Sequence, residues 1–344
     1  MKLLFVSDST NFSTYDVYLG YVDAFKRLGV DFVAFDLHEF NRHHLSTISL
    51  ALLHSMALIK NNGITHVLFV GGCSIPKEVI ESFWGVVRVG IIATDDPHSS
   101  GFTLRSIENL DWYFTNERAL TGDKIHYIPT AASVSHCGRI ADVHERFKSD
   151  IIFVGSVYPN RVKFFEAVTP FCISHGINLK IVGHIDYVPA DSIIRRWCVD
   201  AQSRTVPHEE TLRWYSGARA AINLHRDPTW HPETDKENPY NLASAVPESL
   251  NPRAYELALC GCFQLLDDSR AEARDYFDCR EVGFFSDPES FCRAVTMSII
   301  DDDSHALRKR MIERAAIKVQ RTGTYDVRAK KIIDIINQQK EVQK

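Results

Sequence analysis

The sequence predicts an α/β protein of two doubly wound parallel sheets facing one another across a cleft. Three observations carry this. Short runs rich in Val, Ile and Phe alternate with longer stretches of helical period. The alternation fades between residues 131 and 149 and then restarts, and 344 residues suffice for about two domains. The expected division is 1–140 for the first domain, 150–322 for the second and 323–344 for a closing helix packed back on the first.

Each element follows from local pattern. Leu3–Ser7 is a continuous apolar run, too short for a helix and suited to a strand buried on both faces. A helix is predicted at about Tyr15–Leu28, stopped by Gly29, then a strand at Asp31–Asp36 and a helix near Leu45–Asn61, stopped at Asn62-Gly63. Strands at His66–Val70, Val87–Ala93, Trp112–Thr115 and His126–Ile128 complete the first set. The second set has predicted strands at Asp150–Gly155, Leu179–Gly183, Ala220–Leu224, Phe263–Leu266 and Val282–Phe285. Helices at Arg161–Ser174, Glu209–Ser216 and Pro252–Cys260 intervene, and helical patterns close the chain. In such sheets ligands bind at the carboxyl ends of the strands. His225 to Leu250 is polar, Pro-rich and without period, the pattern of a functional or mobile loop.

Composition excludes several classes. With 45% hydrophobic and 24% charged residues the chain is neither collagenous nor disordered. A net charge of −5 argues against a global attraction to nucleic acid. No run approaches the roughly 18–20 apolar residues that span a bilayer, and the first strand meets Asp8 too early for a signal-peptide core. Eight dispersed cysteines without a C-x-x-C pair point to reduced thiols, hence to the cytoplasm as the expected location.

Two strand-to-helix turns are suited to phosphate. In Asn251-Pro252-Arg253-Ala254-Tyr255-Glu256, Asn251 is a good N-cap and Pro252 fits the first helical position. The helix N-terminus carries free N–H groups and partial positive charge, and Arg253 adds a two-pronged grip on phosphate oxygens. Glu256, one turn on, is placed to accept hydrogen bonds from two ribose hydroxyls. In the other turn, Gly155-Ser156 leads into a helix opening with Arg161 and Lys163, whose cations offset a diphosphate without a metal ion. Capped helices with solvated charges are the plain alternative for both.

These residues resemble the group-1 glycosyltransferases, and their CgeB-like, spore-maturation branch most. Asn251 to Glu256 running into Ala258-Leu259-Cys260-Gly261 looks like the R-x-x-E-x-x-A-x-G box of that family, and Gly155 to Lys163 like its G-S-x-x-x-x-R turn. The resemblance spans about 150–325 and is weak before that. It implies a GT-B fold of two Rossmann-like domains. A nucleotide-sugar donor, a UDP-sugar first, is held by the second domain through Gly155, Ser156, Arg161, Lys163, Asn251, Arg253 and Glu256. The nucleotide-sugar is then a co-substrate, and neither cofactor nor metal is required. The chain departs from the wider pattern seven or eight positions before Glu256, where Ser249 and Glu248 stand without a Glu-x-Phe-Gly signature.

In the first half, Asp95-Asp96-Pro97-His98 ends a predicted strand and resembles the D-D-P element of CgeB-like proteins. Asp95 or Asp96 is the candidate general base, beside Arg161 as the catalytic cation, while His98, Asp8 and Ser9 form the acceptor-side rim. A plain Asp-Pro turn is the alternative. His225, Asp227, His231, Glu233 and Asp235 invite a metal reading, yet lack any H-x-x-x-H spacing on a helix. The basic tail, Arg308-Lys309-Arg310 through Arg328-Lys330-Lys331 with Ile332, Ile333, Ile335 and Ile336, is expected to pack its Ile face on the first domain, with a membrane surface or nucleic acid as the alternative partner. The function expected is transfer of a sugar to a glycan, protein, small molecule or modified DNA base. An epimerase or hydrolase on the same frame and a catalytically silent sugar-binding relative are the alternatives.

Overall fold

The computed structural model describes residues 1–7, 12–36, 48–71, 75, 77–199, 206–230, 240–241, 244–301 and 304–341. The chain divides into two compact units, Met1–Thr130 with Pro228–Ser249 and Tyr325–Lys344, and Ala131–Asp227 with Leu250–Thr324.

The first unit holds a six-stranded parallel sheet in the order β2-β1-β3-β4-β5-β6, from β1 (Leu3–Ser7), β2 (Phe32–Asp36), β3 (His66–Val70), β4 (Arg88–Ile92), β5 (Trp112–Thr115) and β6 (Ile125–Tyr127). Every residue of β1, β3 and β5 is buried, as strands covered by helices on both faces require. The last helix, Tyr325–Glu341, packs here against the first, Phe12–Arg27. Tyr325 meets Tyr21 at 4.9 Å between ring centroids, and Gly20 makes the room, since a Cβ there would lie 2.3 Å from the Tyr325 ring. Asp326 accepts two hydrogen bonds from Arg27, at 2.6 and 2.8 Å. Ile332 and Ile336 are buried, and Arg328 and Lys331 donate to carbonyls of residues 127–130, which accounts for the basic Ile-rich end.

The segment 228–249, expected within the second domain, returns to the first unit through pairings that leave no local trace in sequence. Gly101 N–H donates to the Tyr240 carbonyl at 2.6 Å, and Tyr240 stacks on Phe102 at 4.5 Å. The buried Glu117 carboxylate accepts from the N–H groups of Glu248 and Ser249.

The second unit holds a five-stranded parallel sheet in the order β11-β10-β9-β7-β8, from β7 (Ser149–Val154), β8 (Leu179–Val182), β9 (Ala218–Asn223), β10 (Phe263–Asp267) and β11 (Gly283–Phe285). Its core joins Ile151 and Phe153 of β7, Ile181, Ile222 and Leu265 with Phe165, Val168 and Phe291 from the covering helices. The chain runs outward from β7 to β8, then crosses to the other side of β7 to form β9. The ends of β7 and β9 are therefore the topological switch point, where the loops part and leave a crevice. In the first unit the same point lies between β1 and β3.

Candidate functional site

The second unit's switch point gathers cations. After β7 the chain passes through Gly155, at φ +148, into the helix Pro159–Ser174. The space where a Gly155 side chain would stand is filled from inside the fold, because a Cβ would lie 2.7 Å from Arg253 Nη2. Gly183, at φ +125 after β8, backs the turn, with its own missing Cβ 2.5 Å from the Gly155 carbonyl oxygen. Side chains at either glycine would push the turn out of register with Arg253.

Arg253 stands in the first turn of the helix Pro252–Leu259, which Asn251 caps by accepting the Ala254 N–H at 3.2 Å. Its Nη2 donates to the Val154 carbonyl at 2.7 Å, and its guanidinium lies 5.5 Å from the Phe153 ring centroid. One residue of the helix N-terminus thus reaches across to the end of β7. Asn223, at the end of β9, exchanges hydrogen bonds with Asn251 at 2.8 and 3.1 Å, which fixes the cap against the sheet.

Arg161 is 6% exposed and donates to the carbonyls of Ser156 at 2.7 Å and Leu224 at 2.6 Å. It staples the loop after β7 to the loop after β9. Burial first, and then the Arg253 charge, lower its pKa to about 9, so it remains a cation at neutral pH. Arg226 and Arg270 complete the cluster. Arg226 lies 5.5 Å from the Tyr158 ring centroid, and Arg270 donates to the Arg226 carbonyl at 2.8 Å. Asp267, at the end of β10, stands among them and accepts from the N–H groups of His225 and Ser269. The excess of guanidinium groups among the described residues here favours an anion of more than one charge.

Some sequence expectations change here. Lys163 is exposed, while Arg161 two residues earlier is buried, because residues i and i+2 lie on opposite faces of a helix. The two cations do not converge. Arg161 holds the two loops rather than presenting a free fork, and Ser156 contributes its carbonyl to that staple. Glu256 is half-buried, and both it and Arg253 act electrostatically on the buried Tyr215 hydroxyl, so these residues share a helix face. Glu248, one candidate for the upstream acid, pairs with Arg118 at 2.8 Å within the first unit. Asn223, Arg226, Asp267 and Arg270 carry no motif that marks them, and His225, which invites a metal reading in sequence, joins them here; each ends β9 or β10 or lies within three residues of its end.

The turn after β4 separates its two carboxylates. Asp96 is 5% exposed and accepts hydrogen bonds from Tyr113 at 2.9 Å and Thr115 at 2.7 Å, so its carboxylate anchors the turn. Asp95 is exposed and accepts from Ser99 Oγ at 2.6 Å. His98 is buried beside it. Asp8, Ser9, His231, Glu233 and Asp235 lie outside the described residues. Burial pushes the Asp96 carboxyl from 3.8 up to about 6, against the lowering effect of the Thr115 and Tyr113 hydroxyls. The folded chain binds this proton more tightly than the unfolded one. Stability should therefore fall as pH rises between 3.8 and about 6, by about 3 kcal/mol at most. Asp96→Asn removes that slope, which urea denaturation across the window measures; an unchanged slope contradicts the assignment.

Comparison with solved structures defines the class. An alpha-glucosyltransferase in complex with UDP and a 13-mer DNA containing a central A:G mismatch matches with a TM-score of 0.66 at 15% identity, covering 98% of this chain and all (100%) of that one. Sucrose-phosphate synthase from Thermosynechococcus elongatus gives 0.64 at 12% identity, covering 99% and 100%. The fold is the GT-B fold of glycosyltransferases. A family profile described as glycosyl transferase-like matches residues 161–334, and the chain belongs to that family. Spore protein CgeB of Bacillus subtilis is 27% identical over 192 residues, 53% of this chain and 56% of its own length, so the match spans little more than half of that relative. No helix among the described residues is long and apolar enough to cross a membrane.

Proposed function

We propose that this chain transfers a sugar from a nucleoside-diphosphate donor, a UDP-sugar, to an acceptor hydroxyl. The observation that carries the reading is the arginine-lined switch point of the second unit, with Arg253 and the Asn251-capped helix N-terminus on one side and the Arg161-stapled loops on the other. The nucleoside diphosphate is the leaving group of such a transfer, and negative charge grows on its β-phosphate as the bond from the anomeric carbon to the phosphate oxygen breaks. Fixed cations and N–H groups aimed there stabilise the transition state more than the ground state. Glu256 is assigned to the donor ribose and Asp95 to the acceptor, as general base if the anomeric configuration inverts. The alpha-glucosyltransferase of similar fold, solved in complex with UDP, supports the choice of nucleotide.

Glu256→Ala should weaken UDP binding about 10-fold or more, the loss of a charged hydrogen bond. Pyrophosphate binding should not change, since Glu256 is assigned to the sugar of the nucleotide. Because arginines balance the phosphates, chelation of divalent ions by EDTA should leave UDP affinity within about twofold. Isothermal titration of all three conditions is the test. Equal UDP affinity in the variant removes the ribose assignment, and loss of binding in EDTA removes the metal-independent one. Consumption of UDP-sugar without an acceptor would instead assign a hydrolase or epimerase.

A further inference from the structure

His225 follows β9, 4% exposed, at the centre of the arginine cluster. Its backbone is fixed from two sides, with its N–H donated to Asp267 at 3.0 Å and its carbonyl accepting from Asn160 at 3.1 Å. The tautomer of its ring can be deduced. Asn251 Oδ1 accepts from the Ala254 N–H and from Asn223, so the Asn251 amide nitrogen is the group facing His225 Nδ1, at 3.3 Å. That nitrogen can only donate, so Nδ1 is an acceptor and the ring proton sits on Nε2. Among the described residues His225 Nε2 has no hydrogen-bond partner, and the atom is buried.

The surroundings explain why none is supplied. The charged groups acting on the ring are Arg161 from the helix after β7, Arg253 from the capped helix, and Arg270 after β10. All of these are donors. The Asp267 carboxylate beside them already takes two backbone N–H groups. Burial, then Arg270, Arg161 and Arg253, hold the imidazole pKa well below 6.5, so the ring is neutral at physiological pH. A neutral, buried donor ringed by cations needs an acceptor oxygen, which an anionic ligand brings.

We propose that His225 is a substrate-contacting residue whose Nε2–H donates to a phosphate oxygen of the nucleoside-diphosphate donor. The proposal rests on the functional reading above and adds to it a specific neutral donor among the cations. A cationic histidine would only add charge, whereas this one adds direction without being lost as pH rises.

Two variants separate the ring's two nitrogens. In His225→Asn the amide stands where Nδ1 was and nothing reaches the Nε2 position; in His225→Gln the amide nitrogen reaches it. Isothermal titration of the whole protein with UDP is the experiment, with melting temperature recorded for each variant. His225→Gln should bind UDP within about threefold of the natural protein, and His225→Asn about 10-fold or more weakly. Uridine binding should be the same in all three. The natural protein should show no rise in UDP affinity between about pH 8 and 6, where an ordinary histidine gains its charge. Nitrogen-15 spectra of labelled histidine give a readout that needs no folded variant, with the Nε2 resonance of a neutral ring moving on addition of UDP. Equal UDP affinity in a folded His225→Asn, equal loss in both variants, or an unmoved Nε2 resonance overturns the proposal. Failure of the natural protein to bind any nucleoside diphosphate would instead overturn the functional reading beneath it.

Discussion

Arg253→Ala is expected to weaken UDP binding by about 100-fold while leaving the fold largely intact. Arg253 is half-buried, and its guanidinium donates to the Val154 carbonyl and, at 3.5 Å, to Asn223 Oδ1. A charge-assisted hydrogen bond to a ligand is worth about 1.5–3 kcal/mol, about one to two decades in affinity. The arginine also stands in the first turn of its helix, where its charge adds to the partial charge of the N–H groups facing the same anion. Alanine there keeps the cap, the helix and the packing of Tyr255 and Leu257. Lysine should restore part of the affinity, since it keeps the charge and loses the planar fork. Calorimetric titration against UDP, with thermal melting as the control for folding, measures both effects. Unchanged affinity in the folded variant would mean that the cation faces no ligand.

Arg161→Ala acts on the other quantity. Its two terminal nitrogens satisfy the Ser156 and Leu224 carbonyls, and the planar group packs 5.2 Å from the ring centroids of both Phe153 and Tyr158. Removal strips the two buried carbonyls of their donor, at about 1–3 kcal/mol each, and opens a void beside two aromatic rings. Relief of repulsion from Arg253, visible in the lowered pKa of Arg161, offsets part of that loss. The net destabilisation should be about 3 kcal/mol, and at about 2–4 °C per kcal/mol the melting temperature falls by about 10 °C. Donor affinity should fall as well, because the loops after β7 and β9 lose their common staple. Urea denaturation checks the first effect. A variant as stable as the natural protein would show that the staple contributes nothing.

Much of this was legible in the chain because it is local. Asn251-Pro252 marked the helix start, and the apolar runs at residues 3–7 and 112–115 marked strands, since capping and burial are written in neighbouring residues. What escaped depends on strand order. Nothing near Asn223 or Asp267 tells that β9 lies between β7 and β10, yet that order brings His225, Arg226 and Arg270 to Arg161 and Arg253. Helical rotation alone sets Lys163 on the face opposite Arg161, a relation already written in the sequence. Asp95 and Asp96 are adjacent in sequence, and only the tertiary partners Tyr113 and Thr115 separate an anchor from an exposed acid.

The central claim is that the second unit's crevice recognises the diphosphate rather than the nucleoside alone. Titration of UDP and of uridine into the natural protein, at low and at high salt, tests it most directly. The account predicts UDP bound at least about 100-fold more tightly than uridine, with the difference shrinking as salt screens the arginines. Equal affinities, or a difference indifferent to salt, would contradict it.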